Sequence, residues 1–353
     1  MKEIKPLTAL RGIFALWVVG YHLHALRFAP TPDPFGVLGR GYLAVDFFFL
    51  LSGFVLAGAY GTRLFSVQDY CRYVVKRAGR MFPLHVLILS VIAGVAIIHD
   101  APYCVSQFVQ EALLLHRWPL MPAPVHAING PAWSISTEWL TNLLLPVLAI
   151  LALPTGRWRP LGSLAVAGAL IVAIGATNQG SLDIASANSP APFLRCLSEF
   201  TIGMLLFRWR SLADHLTGWR SAAVCLATVA ALFTGVSDVL LVMLLAATIM
   251  ALSNATGVVS RALSWRYLHG LGTISFSVYL IHEPVLFTVR HFAQMLPFDP
   301  AGQTLAFVFA TVGATLVVSF LTYVAIEQPA RDASKRLAEH HVFGSISTKV
   351  PTA

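Results

Sequence analysis

Charge is what this chain has least of. Only 11% of its 353 residues are Asp, Glu, Lys or Arg, while 57% are hydrophobic. An ordinary soluble domain carries about 25% charged residues. With a mean hydropathy of +0.72, the chain cannot cover a water-facing surface, which excludes a soluble globular protein and predicts an integral membrane protein. Cysteine is also scarce. Cys71, Cys104, Cys196 and Cys225 lie far apart without paired spacing, so neither a disulfide framework nor a zinc site is indicated, and no other metal set is read. A small-x-small cleavage site is missing as well: Lys2 and Lys5 precede an apolar run, but nothing after it would direct cutting, so the N-terminus is predicted to stay attached. Finally, the net charge of +8 is not gathered into a basic patch on a soluble domain, which excludes a nucleic-acid partner.

What is present is a series of apolar runs. A span needs about 20 mostly apolar residues. The sequence predicts ten, at 9–28, 42–61, 81–99, 133–153, 160–177, 193–209, 221–236, 238–254, 271–290 and 304–325. The fold class is therefore all-α, a polytopic membrane helix bundle of about ten transmembrane helices. Nineteen of the 24 Lys and Arg residues fall on one side of that arrangement. Arg27, Arg40, Arg117 and Arg290 fall on the other, and Arg195 lies inside a span. By the positive-inside rule both termini are cytoplasmic. Residues 1–331 read as one membrane domain and 332–353 as a short polar cytoplasmic tail without fixed structure.

Polar residues then stand out against the apolar background. The first run carries Arg11, His22 and His24, and ionisable groups in hydrocarbon are costly. Counting from the outer ends, His22, Asp46, Glu138, Glu199, His282 and Glu283 all sit roughly 8–12 Å below the outer surface at 1.5 Å per residue. Charges at one depth on five helices must face one another or a water-filled cavity. His24 is rotated about 200° from His22 and belongs to another face. Pro284 leaves the Leu280 carbonyl without its helical N–H partner beside His282, and broken helices often line binding sites. A second cluster lies inside: Arg77 and Arg80 share a helix face, Arg11 enters at their level, and Glu327 ends the last span there. Arg11 and His22 are about 16 Å apart along one helix. One helix thus links an inner cationic site to an outer acid–base site. From the residues alone an acid–base enzyme and a proton-coupled secondary transporter of a small polar solute fit about equally. The absence of a clear internal repeat counts against transport.

The motifs resemble a known family. "LTALRGIFALWVVGYHLHAL" is similar to the first helix of the acyltransferase-3 family, with an Arg, ten residues, then His. "GYLAVDFFFLLSGFVLA", "KRAGRMFPLHVL", "NGPAWSISTEWLTNLLLPVL", "ISFSVYLIHEPV" and "TYVAIEQPAR" resemble later elements in the family's order, from about residue 7 to 331. The resemblance implies transfer of an acyl group, usually acetyl, from acyl-coenzyme A to a carbohydrate hydroxyl outside the cytoplasm. A surface polysaccharide or its lipid-linked precursor is the expected acceptor, and a bacterial inner membrane the expected location, in contact with membrane lipid. No cofactor is permanently bound, and acetyl-coenzyme A serves as donor substrate. The resemblance carries functional roles onto His22, Arg11, Arg77 and Arg80, and onto Asp46, Ser52, Glu138 and Glu327. Two departures follow. Glu138 is followed by Trp139 where the family often has a second acid, and the appended esterase-like domain of many members is not expected here. In chemical terms, His22 would be the general base, oriented by Asp46, with Glu138 also at the catalytic level. Arg11, Arg77, Arg80 and Ser52 would bind the donor. Glu199, His282 and Glu283 would line the acceptor cavity, and Glu327 would close the inner face. A covalent acyl-His22 intermediate is the alternative route.

Overall fold

The computed structural model describes residues 3–25, 33–61, 66–99, 104–121, 127–154, 156–184, 189–254, 257–293 and 300–340. Helices α1 (Lys5–Ala25), α2 (Ala44–Tyr60), α3 (Val67–Ile98), α4 (Val105–Ala112), α5 (Ala132–Leu143) and α6 (Leu145–Ala152) form the first half. They are followed by α7 (Trp158–Thr177), α8 (Ala191–Arg208), α9 (Trp219–Phe233), α10 (Asp238–Ser253) and α11 (Val258–Leu263). The last are α12 (Arg266–Thr273), α13 (Ser275–Ala293), α14 (Pro300–Thr322) and α15 (Gln328–His340). No strand occurs among the described residues. Each of the ten apolar runs coincides with a helix or a pair of helices. This is a multi-pass, all-helical membrane protein.

Four helices are long and apolar enough to cross a membrane, or six if each bent pair counts as one span. The bent pairs are α5–α6 and α12–α13, each broken by 65°. Helices α1 and α8 are not in that set because they carry Arg11, His22 and His24, and Arg195 and Glu199, respectively. Helices α9 and α10 have 15 and 16 residues, about 23 Å of helix each, short of the roughly 30 Å hydrocarbon layer. The count of ten therefore remains an expectation from apolar patterning.

Where Pro146 and Pro284 interrupt helical hydrogen bonding, other side chains take the freed carbonyls. Pro146 sits at the start of α6, lacks an N–H and breaks the α5–α6 span. The freed Asn142 and Leu143 carbonyls accept from the Tyr73 and Tyr70 hydroxyls of α3, at 3.2 and 2.9 Å. Pro284 lies inside α13, and the Leu280 carbonyl it frees accepts instead from Asn129 Nδ2 at 3.2 Å. Apolar surroundings demand such substitutes, since no water can take the freed group.

Glycines set the closest helix contacts. Gly53 of α2 and Gly203 of α8 face each other's helix so tightly that an added Cβ at either would collide with the Phe200 or Leu50 carbonyl. On the other side of the bundle, Gly272 of α12 presses on the Thr8 carbonyl of α1. Small residues allow backbones to meet this way. The result wedges α1 between α2, with Phe14 stacked on Phe47 at 4.2 Å, and the α12–α13 pair.

Two boundaries differ from the sequence reading. Helix α3 begins at Val67 rather than near 81, because Ser66 caps it by accepting the Asp69 N–H at 3.0 Å. Arg77 and Arg80 therefore lie well inside a helix. At the other end, residues 328–340 form α15, with Lys76 of α3 paired to Glu339 at 3.1 Å. The tail expected at 332–353 is thus helical as far as His340, while 341–353, like Arg27 and Arg63, lie outside the described residues.

Candidate functional site

A cavity of about 430 Å³ lies between α1, α2, α3, α5 and α13, with the first turn of α15 also lining it. Arg11 enters it from α1, Arg77 and Arg80 from α3, and Arg331 from α15. Residues three apart share a helix face, which is why α3 delivers Arg77 and Arg80 together. The lining carboxylates are Glu3 and Glu138. Glu138 Oε1 accepts from Ser52 Oγ at 2.6 Å and from Arg77 Nη2 at 2.9 Å. Glu327 stands just behind, buried, accepting from Ser277 at 2.8 Å and lying 3.5 Å from Arg331. Arg11 and Arg80 make no ion pair with any described carboxylate. Four lining guanidinium groups thus face two lining carboxylates, and two of the four are unpaired.

The lining mixes charged and aromatic residues. Burial alone would raise the Glu3 carboxyl, but hydrogen bonds with Thr8 at 2.9 Å and His269 at 3.0 Å, together with the nearby Arg11 charge, hold it below its ordinary value. Glu3 is therefore an anionic part of the lining. Phe48, Phe49, Ser134 and Tyr279 also belong to it. The Ser134 and Tyr279 hydroxyls are 2.7 Å apart, and Tyr279 also donates to the Pro131 carbonyl at 3.1 Å.

Beyond Tyr279 stands a pair of histidines. The rings of His22 and His282 lie 4.8 Å apart, and His282 is fully buried. Neither lines the cavity itself. A third group is separate from both: Arg195, 1% exposed, donates to both oxygens of Asp46, with Nε at 3.0 Å, and to the Leu182 carbonyl at 2.7 Å. Glu199 Oε1 lies 3.5 Å from Arg195 Nε.

The structure gathers Arg11, Arg77, Arg80 and Ser52 into one cavity, as the sequence suggested, and seats Glu327 beside it. It distributes the outer layer differently. Glu138 belongs with the arginines: α5 is a short half of a bent pair and directs Glu138 to Arg77 and Ser52. Asp46 and Glu199 are held by Arg195, so Asp46 faces Arg195 rather than the His22 ring. Glu283 packs on Gly130, where an added Cβ would strike its carboxylate. Sequence reasoning passed over Arg331, Glu3, Ser134 and Tyr279. Arg331 had a usable signal, lying four residues past Glu327 on one helix face. Ser134 and Tyr279 had none, since a lone hydroxyl on an apolar helix is ordinary.

Comparison with known proteins decides the family. The acyltransferase-3 model, described as an acyltransferase domain, matches residues 4–324. The chain belongs to the acyltransferase-3 family. Among its curated relatives, Protein 2 in picA locus of Rhizobium radiobacter is 35% identical over 154 residues, covering 38% of this chain and 77% of that protein. Acyltransferase MdmB of Streptomyces mycarofaciens is 32% identical over 155 residues, 41% of this chain and 39% of that protein. Putative peptidoglycan O-acetyltransferase YrhL of Bacillus subtilis (strain 168) is 24% identical, with 97% of this chain matched to 57% of that protein. No solved structure matches. The family match runs through every helix that lines the cavity except α15, which supplies Arg331.

Proposed function

We propose that this family member is a membrane O-acyltransferase that takes an acyl group from cytoplasmic acyl-coenzyme A and transfers it to a hydroxyl of an extracytoplasmic carbohydrate. The observation that carries the reading is the cavity with the unpaired Arg11 and Arg80 guanidinium groups. An excess of guanidinium over carboxylate in a partly enclosed space calls for an anionic ligand, and guanidinium groups contact phosphates by forked, charge-assisted bonds. Coenzyme A offers phosphates at one end and a thioester on a long flexible arm. Such an arm laid along the cavity carries the thioester past Phe48 and Tyr279 towards His22. Family membership supports acyl transfer, and the peptidoglycan named for the Bacillus subtilis relative supports a carbohydrate acceptor.

In the transfer, the acceptor oxygen bonds to the acyl carbon and the carbon–sulfur bond breaks. His22 takes the hydroxyl proton as attack proceeds, then returns it to the departing thiolate, so coenzyme A leaves as the thiol. Arg77, already paired with Glu138, serves more to hold that carboxylate and Ser52 than to bind phosphate.

The donor assignment is tested by binding. Arg80→Ala in purified, monodisperse protein should weaken acetyl-coenzyme A binding by about 1.5–3 kcal/mol, roughly 10- to 150-fold. Arg72→Ala, which removes a charge of the same helix outside the cavity, should leave affinity unchanged. Wild-type affinity in a folded Arg11→Ala/Arg80→Ala protein would defeat the assignment. Orientation is tested separately. A cysteine at Glu339 should label only from the cytoplasm and one at Ser189 only from outside. The reverse pattern would put the arginine cavity on the wrong side for a cytoplasmic donor.

A further inference from the structure

Asp46 does not reach the histidine expected to act as base, which leaves open what holds that ring. Among the described residues, the imidazole of His22 makes no hydrogen bond. Its ring lies against another imidazole. His282, three residues beyond the cavity-lining Tyr279 on α13, lies with its ring centroid 4.8 Å from that of His22 and inclined by 59°. Two imidazoles joined nose to nose by an N–H···N bond have centroids about 5 Å apart, given a heavy-atom separation near 3 Å. The observed spacing is compatible with such a bond, and contacts of this kind are often loose before substrate is present.

The state of His282 is set by its surroundings. Nδ1 lies 2.6 Å from the Tyr279 carbonyl. A carbonyl can only accept, so Nδ1 carries the hydrogen. Nε2 is buried and has no partner. A charged imidazolium there would bury an unpaired N–H and a net charge, which costs far more than a neutral ring with a free lone pair. His282 is thus a neutral acceptor at Nε2. The helix around it is built to hold that position: Pro284 frees the Leu280 carbonyl, Asn129 Nδ2 restrains that carbonyl at 3.2 Å, and the Tyr279 hydroxyl is tied to Pro131. An unpartnered acceptor held this firmly, against a ring with unspent N–H capacity, has one obvious donor.

We propose that His282 is the positioning residue for His22. Its Nε2 accepts an N–H from the His22 ring, fixing the tautomer in which the other His22 nitrogen presents a lone pair to the acceptor hydroxyl. It also stabilises the imidazolium that forms when His22 takes the proton. A base oriented by a third group is a recurring arrangement in transfer chemistry, with a carboxylate the usual orienting group. Here a neutral imidazole fills the role that the sequence had suggested for Asp46. The inference rests on His22 being the base.

Three substitutions separate positioning from packing, assayed with acetyl-coenzyme A and an acceptor glycan on protein shown to be monodisperse. His282→Gln keeps an acceptor near the Nε2 position and gives up the link to Tyr279. His282→Asn keeps a donor for the Tyr279 carbonyl and removes the acceptor. His282→Phe removes both and keeps ring volume. The phenylalanine and asparagine variants should lose about 100-fold in kcat, the lower end of a general base's contribution, with donor KM unchanged, and glutamine should recover part of the loss. In a His22→Ala background, His282→Phe should cost nothing further, because residues acting as a unit are not additive. Wild-type kcat in the phenylalanine variant overturns the proposal. So does asparagine matching wild type while glutamine fails, since that order marks a structural anchor to Tyr279. Should His22→Ala itself retain transfer, the reading of His22 falls. A loss by His282→Phe in that background would then show His282 acting independently of His22, which also overturns the positioning role.

Discussion

His22→Ala is expected to lose acyl transfer by about 100- to 10,000-fold while the protein stays folded and still binds donor, the range typical of removing a general base. The prediction is sharp because binding and chemistry are spatially divided. The arginines that would hold the donor line the cavity, whereas His22 does not, so donor affinity in His22→Ala should match wild type. The ring is only partly buried, and truncating it leaves a small space rather than an unpaired charge. His24, on another face of α1, is the internal control, and His24→Ala should be far milder. Acidification should also slow the wild-type enzyme, because a protonated imidazole has no lone pair with which to accept the hydroxyl proton. Retained transfer in His22→Ala together with loss in His24→Ala would invert the assignment. Loss of donor binding in His22→Ala would mean that the two sites are not separate.

Removing Arg195 is expected to destabilise the protein by about 3–5 kcal/mol, the usual cost of stripping one partner from a buried ion pair. Arg195 neutralises Asp46 and stands within 3.5 Å of Glu199, both without solvent exposure, while also donating to the Leu182 carbonyl. Arg195→Met leaves two carboxylates in an apolar interior with no cation. Their interaction with Arg195 spans the α2–α8 contact that Gly53 and Gly203 bring together, so the effect should appear as a lower unfolding midpoint in detergent and as reduced monodisperse yield. The companion variant Arg195→Met/Asp46→Asn/Glu199→Gln removes the charges together and should regain most of that loss, since replacing a whole buried ion group is often close to neutral. If that variant, once folded, also retains acyl transfer, Asp46 and Glu199 are structural. Should Arg195→Met alone match wild-type stability, the group would have to carry compensating protons, and its part in holding α2 to α8 would be minor.

The histidine pair and the ion group show why counting depth along separate helices goes only part of the way. Six residues were placed at one level from their distance to the outer ends of their spans. His22 and His282 do meet. Glu138 does not join them, because α5 is half of a broken span and holds Glu138 against Ser52 and Arg77. Asp46 was paired with the nearest attractive partner in one dimension, whereas in three dimensions a guanidinium four residues from Glu199 reaches it first.

By itself the sequence determined the class of molecule and much of the inner site. Low charge and long apolar runs leave the backbone no option in lipid but helices, since every N–H and C=O must be satisfied within the segment. Residues three or four apart on one helix share a face, so Arg77 with Arg80 could be read directly, and the ten residues between Arg11 and His22 fix their separation along α1. Contacts between helices were decided by the tertiary structure alone. They depend on how closely two backbones approach, which Gly53, Gly203 and Gly272 permit, and on where helical hydrogen bonding is interrupted, at Pro146 and Pro284, with the Tyr70, Tyr73 and Asn129 side chains taking the freed carbonyls. Neither quantity is periodic in the sequence. That is why the partner of Arg195, the place of Glu138 and the neighbour of His22 became visible only once the helices were packed.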